Sequence, residues 1–238
     1  MIVQVDRRLK GLFERSFEGM EFYARDERVP EELYERHLPM GSLGLHLRPT
    51  MESFSAQPRG YLRADEGRVA QMREWASRRV SGGERLCGIS WRSVNPENGA
   101  GRSLALEALV RGLSGRGYRL VNLQYGDVEG ELASVEASTG VRVLRCEGLD
   151  TKGDLEGLAA LMVVCDEVVS IGNATAHLAG ALGLPVKVLL PYVAPWRWMA
   201  EGERCVWYPS ARLIRQRERG QWNSVIEEAA LKLGCSSQ

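Results

Sequence analysis

The segment DEVVSIGNATAHLAGALGLPVKVLLP, residues 166–191, carries the clearest structural pattern in the chain. It predicts a β-branched strand, a glycine turn, a helix, a glycine stop and a second apolar strand, at Val168–Ile171, Gly172-Asn173, Ala174 to about Leu182, Gly183 and Val186–Leu190. Asn173 can cap the helix. The first N–H groups of such a helix face the space above the sheet edge and carry about half a positive charge, so the turn is a candidate phosphate site.

Composition narrows the classes of partner. The chain has 238 residues, of which 44% are apolar, enough for one large or two small domains. Lys plus Arg and Asp plus Glu both number 31, which argues against a nucleic-acid or anionic-membrane partner. No apolar run approaches the ~18 residues of a membrane span, and the first ten residues are too charged for a signal peptide.

Cysteine and histidine usage predicts a reducing compartment and no metal centre. Five scattered cysteines form no C-x-x-C pair, and there are only three histidines. We therefore expect a cytoplasmic protein with buried free thiols at Cys87, Cys146, Cys165, Cys205 and Cys235.

From residue 84 onward, strand and helix patterns alternate. Six strands are predicted, at Leu86–Trp91, Tyr118–Gln124, Val141–Arg145, Glu167–Ile171, Val186–Leu190 and Arg212–Arg215. Between and after them lie five amphipathic segments: Leu104–Leu113, Val128–Ala137, Leu155–Val164, Ala174–Leu182 and Trp222–Leu233. This alternation predicts an α/β fold with a doubly wound, six-stranded parallel sheet, Rossmann-like in its winding.

The first 80 residues are less regular. They predict two short strands and two helices, at Ile2–Val5, Met20–Tyr23, Arg8–Arg15 and Ala64–Arg79, with irregular sequence from Pro30 to Gly60. Ser81-Gly82-Gly83 predicts a flexible joint. We therefore expect two domains, a small and incomplete α/β domain over 1–80 and the Rossmann-like domain over 81–238.

Several motifs together resemble a known family. The strongest follow the last two long strands, and weaker ones lie earlier: Ala176–Gly183, Pro185, Trp196-Arg197-Trp198, Trp207-Tyr208-Pro209, Gly88–Arg92, Arg102-Ser103, Leu123-Gln124, Asp150-Thr151, His37–Leu43 and Pro58–Asp65. In these the chain resembles bacterial GT-B glycosyltransferases that are often fused behind tetratricopeptide repeats and are distantly related to ADP-heptose:lipopolysaccharide heptosyltransferases. The resemblance implies an acceptor-side domain followed by a domain that binds a nucleotide-diphosphate sugar.

Two departures from the family pattern stand out. Gly172-Asn173 replaces an Asp-Thr pair, which removes a carboxylate from the phosphate turn. The family's Gly-rich strand–turn–helix unit, which precedes the segment resembling Ile2–Arg15, is not found, so we expect an incomplete first sheet. Homodimerisation is one way to cover the open edge of such a sheet.

The resemblance, with the predicted turn, nominates a set of donor-binding residues. No Asp-x-Asp tripeptide occurs, so helix N-termini and cationic side chains are expected to neutralise the leaving diphosphate without a metal. The candidates are Arg92, Arg102, Gln124, Asp154, Gly172, Asn173, Ala174, Thr175 and His177, with Lys152 weaker.

Structural roles compete with most of these assignments. Gly172-Asn173 could be a plain connecting turn, and the hydroxyl of Thr175 could bond back into its own helix. His177 could be a hydrogen-bonded core histidine, and Gln124 could cap a turn. For Asp154 the N-cap role is stronger than a role at the donor ribose.

Two further assignments stay open. Arg92 and Arg102 flank the loop SVNPENGAG and form either a phosphate clamp or ordinary surface charge, with function modestly favoured for Arg102. Aromatic side chains after the last long strand suit either sugar stacking or packing of a small satellite core, at Trp196, Trp198, Trp207 and Tyr208. Packing is favoured for Trp207, and Trp198 is undecided.

The expected function is transfer of a sugar from a nucleotide-diphosphate donor to the hydroxyl of a glycan or protein acceptor, with no cofactor besides that co-substrate. No general base stands out, since Asp6, Asp26 and Glu27 read as surface carboxylates. The alternative is a catalytically silent domain that binds a sugar nucleotide or a partner chain. A sugar-nucleotide epimerase is a weaker third, because its acidic cluster is not visible.

Overall fold

The computed structural model describes residues 1–54, 60–95 and 99–234. Its centre is a parallel sheet of five strands in the order β4-β3-β5-β6-β7. These strands are β3 Arg85–Ser90, β4 Tyr118–Asn122, β5 Glu167–Ile171, β6 Val186–Leu190 and β7 Ala211–Arg215. A separate parallel pair contains β1 Ile2–Val5 and β2 Glu21–Ala24.

Eight helices accompany these strands in the described part of the chain. They are α1 Lys10–Ser16, α2 Leu43–Leu47, α3 Glu66–Ser77, α4 Leu106–Leu113, α5 Glu129–Thr139, α6 Leu155–Val163, α7 Ala174–Ala181 and α8 Trp222–Leu231. None of them is long and apolar enough to cross a membrane.

Helices cover both faces of the five-stranded sheet, because successive side chains of a strand point to opposite faces. Val168 of β5 packs on one face with residues of α6 and α7, and Leu12 of α1 joins the same core. Val169 packs on the other face with residues of α4, α5 and α8. The expected doubly wound arrangement is confirmed.

Elements from the first 80 residues pack directly on this domain. Helix α3 lies against α6, and Leu12 of α1 is buried in the core shared with α6 and α7. Arg15 of α1 pairs with Glu156 of α6 at 2.9 Å, and Arg68 of α3 pairs with Asp154 at 2.6 Å. The domain boundary at about residue 80 stays a prediction.

One of the six predicted strands, Val141–Arg145, is wrong as a strand in the described structure. Only Leu144 pairs with β4, through one isolated bridge to Val121. Arg145 instead turns to α5, where its guanidinium lies 2.9 Å from a Glu129 carboxylate oxygen. The segment therefore forms a single bridge to β4, and its last side chain pairs with the neighbouring helix.

Smaller differences concern element ends. The helix predicted from Leu104 begins at Leu106, and the helix predicted over Ala64–Arg79 spans Glu66–Ser77. Four cysteines are free thiols; Cys87, Cys165 and Cys205 are buried as expected, Cys146 is only half-buried, and Cys235 lies outside the described residues. So do residues 58 and 59 of the Pro58–Asp65 motif and residues 96–98 of the loop after β3.

Candidate functional site

The strand order places a crevice at the carboxyl ends of β3 and β5. The chain leaves β3 to form β4 on one side of it and later β5 on the other side. In open parallel sheets ligands bind at such a switch point, because the connections diverge there. The residues that follow these two strands are Trp91-Arg92 and Gly172-Asn173, so the expected turn lies at the switch point.

A buried polar network joins the strand ends. The Oε1 of Gln124 accepts hydrogen bonds from Ser90 Oγ at 3.0 Å and from the N–H of Arg92 at 2.9 Å. Ser90 Oγ in turn accepts from Asn173 Nδ2 at 2.8 Å, and Ser170 Oγ donates to Asn173 Oδ1 at 3.0 Å. Since all of these side chains are buried, the network fixes the turn after β5 against the end of β3.

The amide groups of the turn differ from the open arrangement expected for phosphate. Asn173 Oδ1 accepts from the N–H of Thr175 at 3.0 Å and of Ala176 at 3.4 Å, and the N–H of Asn173 itself bonds to Ile171 O at 2.7 Å. Of the N–H groups of Asn173, Ala174 and Thr175, that of Ala174, an exposed residue, has no acceptor among the residues that the structure describes. The expectation that the backbone N–H groups of Asn173, Ala174 and Thr175 all bind the donor phosphate is therefore corrected, because the short Asn173 side chain caps its own helix.

Gly172 is required for a reason other than turn geometry. A Cβ at this position would lie 2.6 Å from Trp198 Nε1 and 3.0 Å from Leu190 Cδ2. Its φ is not positive, so a left-handed conformation is not the constraint. The missing side chain lets the indole of Trp198 pack directly against the turn.

His177, on α7, lies in a cluster with the aromatic rings of Trp198 and Tyr208. Its ring stacks on Trp198, with centroids 4.5 Å apart, and its Nδ1 lies 3.0 Å from the hydroxyl of Tyr208. Burial, with a smaller contribution from the charge of Arg197, lowers the pKa of His177 to about 4. The structural reading of a hydrogen-bonded core histidine describes this geometry best.

We expect the pH dependence of stability to report this histidine. Between pH 6.5, the ordinary pKa, and about pH 4 only the unfolded chain binds the proton. The free energy of unfolding should therefore fall by about 2 kcal/mol as the pH decreases through this range. Urea denaturation of the wild type and of His177→Gln at pH 7 and pH 4.5 measures it; an equal loss in both proteins would contradict the assignment.

The loop after β6 is held by one arginine. The guanidinium of Arg215 donates to the carbonyls of Met199 and Gly202, both at 3.1 Å, and to that of Trp198. Met199 has a backbone φ of 57°, which residues other than glycine rarely adopt. Arg215 thus positions the strained backbone that carries Trp198 into the core.

The two predicted arginines lie in different surroundings. The side chain of Arg92 is half-buried, donates to Asp127 O at 2.6 Å and lies 3.7 Å from a Glu131 carboxylate oxygen. The carbonyl of Arg92 accepts a hydrogen bond from Asn173 Nδ2 at 3.4 Å, so the backbone of Arg92 lies at the switch point. Arg102 ends a short 3₁₀ turn, Ala100–Arg102, and its N–H donates to Gly99 O.

Gln124 and the Asp150-Thr151 motif lie together beside the carboxyl end of β4. The carbonyl of Gln124 accepts from Thr151 Oγ1 at 2.9 Å, which ties the 149–154 loop to the sheet edge. A cleft of about 310 Å³ opens there, lined by residues that include Asn122, Asp127, Leu149 and Thr151. None of the nine nominated residues lines it in the described structure.

Of two further nominated residues, Asp154 has structural contacts and Thr175 has a hydroxyl without a partner among the described residues. Asp154 accepts from Gly157 N at 2.9 Å as the cap of α6 and is ion-paired with Arg68. The hydroxyl of Thr175 is buried without a hydrogen-bond partner among the described residues, so it bonds neither into its helix nor to solvent. Among all the residues that the structure describes, no group of three or more His, Cys, Asp or Glu side chains is placed to hold a metal ion.

The sequence alone missed three residues at this site. Ser90 and Ser170 are polar residues inside otherwise apolar strands, a signal that could have marked them. Arg197 was seen only as part of an aromatic cluster. The structure places it close enough to His177 for its charge to act there, and no carboxylate pairs with it among the described residues.

Comparison with known proteins gives one related sequence. No protein-family model matches the chain. Protein FlbA of Caulobacter vibrioides is 32% identical over 243 residues, which cover 96% of this chain and 40% of FlbA. The chain thus spans about two fifths of the length of the curated relative it matches.

Solved structures share the architecture at low identity. A family 9 glycosyl transferase from Veillonella parvula aligns with a TM-score of 0.52 and 17% identity, covering 74% of this chain and 53% of that one. ADP-heptose LPS heptosyltransferase II of E. coli aligns with 0.52 and 18%, covering 78% and 57%. The iron-containing dodecameric glycosyltransferase TibC of enterotoxigenic E. coli aligns with 0.50 and 15%, covering 94% and 57%. The described chain therefore has the α/β fold found in these glycosyltransferase structures, matched over somewhat more than half of their length.

Proposed function

We propose that this chain is the sugar-nucleotide-binding part of a GT-B glycosyltransferase, one that transfers a sugar to an acceptor hydroxyl without a metal ion. The observation that carries the proposal is the position of the Gly172-Asn173 turn at the switch point of a sheet whose fold is that of known glycosyltransferases. The wider resemblance to tetratricopeptide-associated enzymes and the cytoplasmic location belong to the same proposal.

The donor diphosphate would lie over the start of α7. One amide, that of Ala174, is open there, and one amide alone neutralises little charge. The carbonyl of Arg92 contacts Asn173 of the turn, and the charge of Arg197 acts on His177 of the same helix. Guanidinium groups bind phosphate oxygens through paired hydrogen bonds. We infer that these two arginines carry most of the phosphate contact.

Exposed apolar side chains support a sugar or acceptor contact at the same edge. Tyr192 and Trp196, in the loop after β6, are 57% and 68% exposed, and Val94 in the loop after β3 is 58% exposed. Aromatic faces suit stacking on sugars. Trp196 is thus a better candidate than Trp198, which is buried.

A silent binding domain is the second candidate. The capped amides of Thr175 and Ala176 favour it, because an active donor site would be expected to use them on the leaving phosphate. This reading keeps donor binding and drops transfer.

We expect at least one of the sugar nucleotides based on UDP, GDP, ADP or CMP to raise the melting temperature of the chain. Arg197→Gln should then weaken binding about tenfold, the effect of losing one charge-assisted contact of about 1.4 kcal/mol. Isothermal titration with the sugar nucleotide that gives the shift measures the dissociation constant.

Arg217→Gln is the matched control, since Arg217 is an exposed arginine just after β7, at the far edge of the sheet. Its dissociation constant should stay within about twofold of the wild type. If no sugar nucleotide shifts the melting temperature, donor binding is rejected. A shift without transfer or donor hydrolysis favours the silent domain.

A further inference from the structure

We propose a second anion site, an arginine-lined cavity beside β4 that binds the polyphosphate group of a small molecule. The cavity has a volume of about 480 Å³ and is lined by Arg78, Arg79, Arg119, Arg142, Arg145 and Glu147, among others. We call it the arginine cavity. Nothing in the proposed donor site requires it.

The arginine cavity concentrates guanidinium groups in one place on the surface. The chain as a whole has a formal net charge of zero, yet five guanidinium groups and one carboxylate line this cavity. Like charges gathered in a concave site raise the local concentration of a counter-ion. A polyvalent anion is therefore the ligand class that this wall selects.

Two of the five arginines are poorly compensated. Arg142 is exposed and forms no ion pair with any described residue. The nearest carboxylate oxygen to Arg119, from Glu84, lies 4.0 Å away, and its Nε is buried without a hydrogen-bond partner in the described chain. A buried donor without a partner destabilises the protein, and a bound oxyanion would supply the missing acceptor.

The other three arginines are ion-paired, and Arg78 is the most exposed of them. Arg78 pairs with Glu74, and Arg79 pairs with Glu147 at 2.9 Å, but the guanidinium of Arg78 is 69% exposed. Arg145 lies between Glu129 and Glu136 of α5. The planar fork of a guanidinium matches phosphate oxygens, so several arginines can share one phosphate chain.

The composition of the wall indicates which part of a ligand it recognises. Leu144 is the one apolar side chain among the lining residues of the described structure. Base or sugar stacking needs an aromatic or apolar face, which this wall lacks. The phosphate chain itself is thus the recognised group.

The arginine cavity and the donor turn lie at different places on the sheet. Arg119 is the second residue of β4, near its amino end, whereas the donor turn follows the carboxyl end of β5. β4 is the edge strand, separated from β5 by β3. Arg78 and Arg79 follow α3, so a bound anion would bridge that helix end to the sheet edge.

Isothermal titration with inorganic triphosphate tests the proposal. We expect saturable binding that the double substitution Arg119→Gln, Arg142→Gln weakens at least tenfold. Arg142→Gln alone, at an exposed position, should weaken it about threefold and keeps the test valid if the double variant fails to fold. A parallel titration with ATP distinguishes the two possible sources of the phosphate chain. Equal affinity for triphosphate and ATP indicates an inorganic polyphosphate, and tighter binding of ATP indicates a nucleotide.

Two control variants make the result decisive. Arg111→Gln removes one exposed arginine of α4 outside the cavity and should leave binding within twofold of the wild type. Arg197→Gln, at the proposed donor site and outside the cavity, should leave in place the component of triphosphate binding that the cavity variants weaken. The proposal is overturned by absence of triphosphate binding, by equal weakening in Arg111→Gln, or by loss in Arg197→Gln with retention in the cavity variants.

Discussion

Lys187→Met is expected to lower the free energy of unfolding by about 3–5 kcal/mol, because it breaks a buried ion pair and leaves one charge behind. Lys187 and Glu167 are 2% and 3% exposed, and the ammonium of Lys187 donates to Glu167 Oε1. They lie on adjacent strands, β6 and β5, toward the amino ends and away from the donor turn.

The carboxylate of Glu167 is built into its surroundings. Its Oε2 accepts from the N–H of Gly234 at 2.9 Å and from the hydroxyl of Tyr118 at 3.4 Å. Burial, with the nearby negative charge of Glu167, raises the pKa of Tyr118 to about 12. Without Lys187 the carboxylate of Glu167 keeps its hydrogen bonds from Gly234 and Tyr118 but loses its positively charged partner.

Urea denaturation measures the loss, and Lys232→Met is the matched control. Lys232 pairs with Glu228 at 2.7 Å and with Glu203 at 3.0 Å, but its side chain is 30% exposed. Its replacement should cost less than about 1 kcal/mol. The double variant Lys187→Met, Glu167→Gln should recover part of the loss. If Lys187→Met costs no more than Lys232→Met, the buried pair contributes nothing.

Trp198→Ala is expected to destabilise the protein by about 3–5 kcal/mol, the usual cost of truncating a fully buried aromatic side chain. The indole of Trp198 is fully buried, stacks on His177 and packs against Gly172. Its removal leaves a cavity between the donor turn and the loop after β6.

A second readout ties this substitution to the site. Loss of the indole should let water reach the imidazole, so the pKa of His177 should rise from about 4 toward 6.5, measurable by NMR titration. Trp196→Ala is the control in the same 3₁₀ turn, because Trp196 is 68% exposed. It should change stability by less than about 1 kcal/mol and leave the pKa of His177 unchanged.

Much of the fold follows from local pattern. The bounds predicted for β5 and β6 agree with the structure, because each is a short apolar run bounded by charged, glycine or proline residues. Val141–Arg145 is also short and contains β-branched residues, but the number of ladder pairs it forms depends on how it packs beside β4. Arg145 finds its partners on α5, and only one bridge to β4 remains.

The candidate site was predictable only in part. The turn at Gly172-Asn173 and its place at the carboxyl edge follow from the order of elements. What the sequence left open was the acceptor for each N–H group. Asn173 caps two of them, and Gln124 serves as an internal cap rather than an exposed contact.

By itself, the sequence determined that strands and helices alternate, that the sheet is parallel and covered on both faces, and where the glycine turn lies. These features depend on periodicity and on residues close together in the chain. The tertiary structure alone decided that Trp198 fills the space above Gly172, that Lys187 meets Glu167, and that five arginines share one cavity. Such contacts join residues far apart in sequence, and their geometry is set by how whole elements pack.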